Sequence, residues 1–473
     1  MKRTFLALSL VLLFTGARSQ SGPAAFGLEQ CIQYALDNAI NSQNAALDEQ
    51  IASAKVKETI GTGLPQINAS ASVQYNEQLR RFFTTYTGPG GFIDLSGVPG
   101  IQVGDVVSAQ NFFQLKGAGE VGLNIDQMIF NGSYLVGLQA ANAYKTLATK
   151  QAIQTREAIV ENVTKAYYAV LINRERIDLF NSNIARVDSL LRNTRALHAA
   201  GFSESIDVDR IRVSLNNLVT EREKFNNLNA VALVLLKFQM NYPMDQPIEI
   251  LGNIQDVKVE VNLSEYGREW DYKIRPDYQV LQANYRLQQL NVKNQYAGAM
   301  PSINAFANLG YVTQSPTIGG LFRTTTQIED GPQIGPDKWY GYSLFGLNLS
   351  WRVFTGTSRS FKIQQEKLTL TKIENGFKAL KNTVDLEIRQ STIKFENAMI
   401  ALAAQRENQD LAANVARVTK IKYEQGVGSN LEVVTAEDAL KEAQINYYSA
   451  LFDAMIAKVD LDKAYGKLIP ATN

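Results

Sequence analysis

The chain has 473 residues, with 47 Lys and Arg against 46 Asp and Glu for a net charge of +1, and it holds one histidine and one cysteine. That balance excludes a nucleic-acid partner, whose phosphates call for a clear basic excess. One histidine and one cysteine allow no internal disulfide and leave almost nothing for histidine-based catalysis, so neither enzyme chemistry nor a cofactor is expected.

The first residues read as a secretory signal. Lys2 and Arg3 precede an almost wholly apolar run from Phe5 to Phe14, and Ala17-Arg18-Ser19 supplies small residues for cleavage after Ser19. Residues 1–19 are therefore assigned as signal peptide. The run is shorter than the about 20 residues a spanning helix needs, and no later segment reaches that length without charges. A helix is predicted over roughly 28–60, stopping before Pro65. It contains Cys31, whose preceding Leu28-Glu-Gln is too bulky for a lipidation signal, so a semi-buried structural thiol is expected.

After Pro65 the chain alternates. Ile67, Ala69, Ala71, Val73 and Tyr75 fall on one face, and Asn68, Ser70, Ser72, Gln74 and Asn76 on the other. The partner strand lies at 119–130, where Val121, Leu123, Ile125 and Ile129 oppose Glu120, Asn124 and Asp126. The polar rows are Asn, Ser and Gln rather than the Lys and Glu of a solvated sheet, which suits a water-filled lumen. Between the strands, residues 84–111 form a long connection with Gly88-Pro-Gly-Gly91 and Val98-Pro-Gly100. Loops of that length are unusual in compact soluble domains but ordinary on the outer side of membrane barrels.

From 133 to 200 there is no proline, and the only glycine is Gly137. An uninterrupted helix of about 60 residues would reach roughly 90 Å. The lone His198 sits in this stretch without a cysteine nearby, so no metal role is expected. A glycine turn at Gly201 leads to a seam of Val208, Ile211, Leu215, Leu218, Phe225, Ala232 and Leu236. The stretch 246–272, with Pro247, Gly252 and alternating Val257, Val259 and Val261, reads as a connector.

The chain then repeats itself. A helix at 275–298 is followed by a strand with Ile303, Ala305, Ala307, Leu309 and Tyr311 opposite Asn304 and Asn308, though Phe306 breaks the polar row. Its partner places Phe345, Leu347, Leu349, Trp351 and Val353 opposite Asn348, Ser350 and Arg352. The loop 315–338 carries Ser315-Pro316, Gly319-Gly320, Gly331-Pro332 and Gly335-Pro336. Aromatics (Tyr75, Phe82, Phe83, Phe112, Phe113, Tyr311, Trp339, Tyr340, Tyr342, Trp351) gather near the strand ends, as an interfacial girdle requires. A second long helix, 358–425, holds only Gly376 and ends at Gly426. Beyond it Val433, Ala436, Leu440, Ala443, Tyr447, Ala450, Ala454, Ala457, Leu461 and Ala464 alternate three- and four-residue steps, a coiled-coil seam.

Pro65 thus aligns with Pro301 and Gly201 with Gly426, so the chain is an internal duplication. The expected divisions are 20–245 as a first repeat (hairpin about 66–130), 246–272 as connector, 273–468 as a second repeat (hairpin about 302–354), and 469–473 as a tail. Each strand is about ten residues, the length that crosses a bilayer at a tilt. Four strands cannot close a barrel, and an open sheet in lipid leaves unpaired edges. The protein must then oligomerise: two copies would give eight strands with a filled interior, three would give twelve and an open pore.

Tyr423-Glu-Gln-Gly426-Val-Gly-Ser-Asn-Leu431-Glu-Val-Val-Thr-Ala436-Glu-Asp-Ala-Leu440, continuing through Tyr447 and Ala450 to Ala464-Tyr-Gly466, resembles the TolC-like outer membrane efflux family. Leu64-Pro65, with Met300-Pro301 as second copy, looks like its strand-start signal. The resemblance covers essentially everything after the signal peptide. It implies a membrane α+β protein: a homotrimer with a twelve-stranded outer-membrane β-barrel, continued by a long α-helical coiled-coil tunnel in the periplasm. The implied partners are a periplasmic adaptor (membrane fusion) protein and an inner-membrane pump, and the implied function is a passive exit duct for drugs or other small molecules from a Gram-negative cell. A type I protein-secretion channel is the alternative, and a periplasmic coiled-coil adaptor a weaker one, since no lipoyl-like β-module is visible.

By the same resemblance, the helix turns at Gly201 and Gly426 would be the periplasmic tip. Asp207 and Glu432, each six residues past its glycine, would form rings of three carboxylates favouring cations, or else are simply acids at helix N-termini. Tyr423 matches a tyrosine that ties the closed tip. Gly428 and Thr435 depart from the family, which has an arginine and a second acid there. The ionic lock is therefore weaker or rebuilt, with Asp209 and Arg210 as candidates.

Overall fold

A computed structural model describes residues 24–91, 93, 95, 97–111, 113–266, 270–323 and 339–469. The expected signal peptide, Phe112, the Gly331-Pro332 and Gly335-Pro336 turns and most of the C-terminal tail lie outside the described residues. In chain order the elements are β1 (Ala24–Phe26), α1 (Leu28–Asn38), α2 (Ile40–Gly61), β2 (Gln66–Tyr75), β3 (Arg81–Thr85), β4 (Val106–Gln110), β5 (Gly117–Asn131), α3 (Gly132–Ala199), α4 (Ser205–Met240), β6 (Ile248–Ile250), α5 (Leu263–Tyr266), α6 (Pro276–Ala297), β7 (Ser302–Ser315), β8 (Tyr340–Ser350), α7 (Ser358–Glu424) and α8 (Asn430–Ala464). They fall into two compact units. One comprises residues up to 50 with 146–284 and 373–473, the other 51–145 with 285–372.

The first unit is helical. Its largest core joins α1, α3, α4, α7 and α8, with Cys31, Leu171, Leu236, Met240, Met455 and Leu461 all buried. The two seams expected after the glycine turns are the buried faces of α4 and α8, apart from the half-buried Leu215, Ala443 and Tyr447. Cys31 is wholly buried, and burial pushes its thiol up to about 12. The single helix expected over 28–60 is in fact two, because Ala39 is extended (ψ 134°) between α1 and α2. The stretch 246–272 does more than connect. It adds β6, parallel to β1 in the register Ala24↔Ile248, and it buries Ile250, Ile254 and Val259 in the core. No helix among the described residues is long and apolar enough to cross a membrane.

The second unit is built on one four-stranded antiparallel sheet in the order β2-β5-β7-β8. Both predicted hairpins form, and β5 pairs with β7 along its length to join them. Opposite residues share a face, so one face carries Gln66, Asn68, Ser70, Ser72, Glu120, Asn124, Asp126, Asn304, Asn308 and Asn348, interrupted by Met128, Phe306, Val312, Tyr340, Tyr342 and Leu344, and the other the apolar row. Among the described residues much of the apolar row is uncovered: Ile67, Leu347 and Leu349 are more than half exposed. Burying each such side chain is worth about 1.5–3 kcal/mol, so this face calls for lipid or protein cover.

Three local readings change. A β-bulge between Met128 and Phe130 takes Ile129 out of register, and Phe130 instead pairs with Ile303. Gln127, just before the bulge, lies on the apolar side by ordinary alternation, where its amide donates to Gly63 O at 2.9 Å. Strand β8 ends at Ser350, so Trp351 and Val353 lie beyond it, with the Trp351 indole N–H donating to Ala299 O at 3.1 Å. The long first loop also holds a small hairpin of its own, β3 with β4.

Candidate functional site

The two glycine turns have one backbone design. Helix α3 ends as Gly201 turns left-handed (φ 77°), with Gly201 N–H donating to His198 O at 3.0 Å and Phe202 N–H to Leu197 O at 2.9 Å. Helix α7 ends as Gly426 does the same (φ 72°), with Gly426 N–H to Tyr423 O at 3.0 Å and Val427 N–H to Lys422 O at 3.0 Å. This pair of bonds needs a residue in the left-handed region, where glycine alone carries no steric penalty. Three residues on, each chain segment re-enters a helix, with Glu204 capping α4 and Ser429 capping α8. The residue after each glycine is an exposed apolar one, Phe202 and Val427.

The side chains then diverge. Asp207 sits at the third helical position of α4, where its Oδ2 accepts from Ser203 Oγ at 3.2 Å and from Glu204 N–H at 3.4 Å. Its Oδ1 pairs with Arg210 Nη1 at 3.3 Å. Glu432 occupies the same position of α8, but there the cap is Ser429 Oγ accepting from Glu432 N–H at 3.2 Å. The Glu432 carboxylate is exposed and has no partner among the described residues. Asp209 pairs not with Arg210 but with Arg212, at 3.5 Å.

Tyr423 links the two long helices: its hydroxyl is 3.2 Å from Thr194 Oγ1, and Thr194 is fully buried. Beneath it, Phe180 stacks on Phe225 at 5.3 Å, and Val208, Ile211 and Val433 are buried in the same cluster. Arg186 reaches across to Glu437 at 3.1 Å and Asn183 to Gln444 at 3.2 Å, so α3 and α8 are tied by polar as well as apolar contacts.

A cavity of 1210 Å³ opens between the turns and brings together Gly201, Asp207, Arg210, Tyr423 and Gly426; Asp209 and Glu432 do not line it. Asn430, only 5 % exposed, lines it as well, and neither atom of its amide is hydrogen-bonded within the chain. Thr194 carries no sequence signal of this role, since it gains it only when α3 and α7 are brought side by side, and Asn430, the first residue of α8, shows its buried amide only in the folded chain. His198 Nδ1 lies 2.8 Å from Ser203 O, closing the first turn. Among the described residues no cluster of His, Cys, Asp or Glu could hold a metal ion.

Two hairpins sharing one sheet, with paired long helices ending in matched glycine turns, define a class of proteins that couple strands to long helices. Residues 31–228 and 273–467 match the model of the outer membrane efflux protein family, and the chain belongs to that family. It is 19% identical over 349 residues to the outer membrane protein TolC of Vibrio cholerae serotype O1, covering 73% of this chain and 76% of that protein. It is 22% identical over 360 residues to the outer membrane efflux protein BepC of Brucella suis, covering 74% and 72%. The crystal structure of the channel CusC shares the fold with a TM-score of 0.70 over 93% of this chain and 91% of that one, at 14% identity.

Proposed function

We propose that this protein is the outer-membrane exit duct of a tripartite efflux pump, passing small molecules through a homotrimer. The observation that carries this is the sheet: β2 and β8 each leave one edge unpaired among the described residues. A bilayer does not tolerate such edges, and about eight strands are the least that close. Three copies of this four-stranded sheet would supply twelve strands and an open pore, lined by the Asn, Ser and Gln face. Relatives named as efflux proteins of the outer membrane support export as the task. The duct would span from the outer membrane into the periplasm and dock an adaptor and an inner-membrane pump.

In the trimer, the Gly201 and Gly426 turns form the periplasmic tip, and 20–245 and 273–468 act as two repeats around the 246–272 connector, after removal of 1–19 and with 469–473 as a tail. Asp207 and Glu432 would each give a ring of three carboxylates favouring cations. Tyr423 would hold the closed tip through Thr194, with Arg210 engaged by Asp207 and Asp209 engaged by Arg212 as its ionic support. The test is conductance of the purified oligomer in planar bilayers. Discrete cation-preferring pores are expected, and an oligomer that forms no pores would sink the channel.

A further inference from the structure

The polar face of the sheet holds the rings of Phe306, Tyr340 and Tyr342 where alternation calls for small polar side chains, and two of them, Phe306 and Tyr342, lie over glycines. Phe306 of β7 is directly opposite Gly346 of β8. A β-carbon on Gly346 would stand 2.5 Å from Phe306 Cζ and 2.7 Å from Cε1, far inside van der Waals contact. Tyr342 of β8 is opposite Gly310, and Gly310 is opposite Gly122 of β5. A β-carbon on Gly310 would meet Tyr342 Cε1 at 3.0 Å, and one on Gly122 would meet the Tyr342 hydroxyl at 3.2 Å. That hydroxyl donates to Glu120 Oε1 at 2.7 Å, so the ring reaches from the second hairpin across β7 to the first.

We propose that Gly346 and the Gly122–Gly310 pair are seats that hold Phe306 and Tyr342 flat against the wall of the duct, and so set the bore of its barrel. The proposal rests on the trimeric duct above, in which this face lines the lumen. A ring standing upright on a strand would reach roughly 5 Å into the lumen, half the spacing of two packed sheets. Three copies would bring three such rings inward at each level. Flat rings leave that space to water and solute, and they cover bare glycine backbone at the same time. Phe306 thus ceases to be an interruption of the polar row. It is the one apolar side chain there whose opposite neighbour has room beneath it.

The decisive comparison is Gly346→Val, Phe306→Ala and the double variant, each read by single-channel conductance and by the heat stability of the oligomer. Gly346 is the informative seat, because a β-carbon on Gly310 would strike Val121 O at 2.6 Å and disturb the backbone itself. Gly346→Val drives only the far end of a ring, so Phe306 should swing into the lumen and conductance should fall roughly two-fold. Phe306→Ala should conduct at least as well as the native chain, and the double variant should recover that level. If Gly346→Val fails to assemble, the double variant should assemble again, because the clash is with the ring alone. Unchanged conductance in Gly346→Val pores, or no recovery in the double variant, overturns the seat. A native oligomer that forms no pores would instead count against the duct.

Discussion

Two helices of nearly equal length, α3 with 68 residues and α7 with 67, lead into the same glycine turn and yet live in different environments. Between 146 and 199, α3 buries side chain after side chain, among them Val163, Tyr167, Leu171, Phe180 and Leu191. Helix α7 buries only Val384, Phe395 and Ala416. Leu386, Ile393 and Ile400, a heptad apart, stand 55%, 57% and 69% exposed. A heptad stripe is a surface made for another helix. The two halves match in sequence pattern and in backbone but not in surroundings: α3 supplies the core helix of the chain, and α7 presents a face that a single chain leaves open.

The largest effect should come from spoiling that open face. Leu386→Asp with Ile393→Asp places charge on the stripe and removes about 1.5–3 kcal/mol of apolar burial per side chain at each contact. The expected outcome, read by light scattering in detergent, is loss of the proposed trimer while each chain keeps its helical circular dichroism. A persistent trimer would mean that α7 is covered by nothing and that its exposure is its final state. The matched change on the covered helix, Leu171→Asp, should unfold the first unit, because that side chain is 1% exposed.

The covered helix also carries a carboxylate that the open one cannot match. Glu157 is 8% exposed, and burial pushes it up to about 7, while Arg275 works in the opposite direction. A raised acid pKa means that the folded state holds the proton more tightly than the unfolded state does. Stability should therefore fall as pH rises from about 4.5 to 7, then level off. Asp462, raised to about 6 by burial, acts in the same direction over a lower window. Glu157→Gln should thus stabilise the protein on the order of 2 kcal/mol at pH 8 and make little difference near pH 4. Thermal melts at the two pH values check this. Glu396→Gln, on the exposed side of α7, should stay within about 0.5 kcal/mol at both.

What the chain discloses before folding follows from the range of each signal. Period-two strands, proline-free helices and the Gly201 and Gly426 turns are written in neighbouring residues, and they appear where the sequence puts them. The bulge at Met128 is not, because it shows only in the register of β5 against β7, strands far apart in sequence. The same holds for Phe306 over Gly346 and for Thr194 beneath Tyr423: each residue looks anomalous or neutral until its partner is beside it. Ala39 is subtler, since alanine is the best helix former; the carbonyls around the break are taken up by Ser42 Oγ, which donates to Leu36 O, and by the distant Asn241 amide, which donates to Asn38 O at 3.0 Å. At the tip, both acids and both glycines were visible as residues, but not that one acid would be engaged and the other left open.

The glycines give a prediction in which the repeats should agree. Gly201→Ala and Gly426→Ala each force a β-carbon into the left-handed region at a point with open space around it. Each should cost about 1 kcal/mol from backbone strain alone. Equal losses in thermal melts would show that the turns are interchangeable as backbone. A much larger loss at one would place a hidden packing role there.

The acids give the smallest change in stability and the sharpest contrast. Asp207→Asn keeps a side chain able to cap but weakens the pair with Arg210, an exposed ion pair worth at most about 1 kcal/mol. Glu432→Gln removes no side-chain contact and should leave stability within about 0.5 kcal/mol. Permeation should rank them the other way. The Asp207 charge is already answered by Arg210 and two donors, so in the proposed duct a passing cation would meet a partly neutralised group. Glu432 is exposed and unanswered, and in the proposed trimer a ring of three such groups would act on the lumen at full charge. Reversal potentials in a salt gradient should therefore shift more for Glu432→Gln than for Asp207→Asn. Unchanged selectivity in Glu432→Gln would leave it as a helix N-terminal acid and nothing more. A larger shift for Asp207→Asn would mean that Arg210 turns away when the tip opens, which makes that pair, not the bare carboxylate, the element that gating breaks.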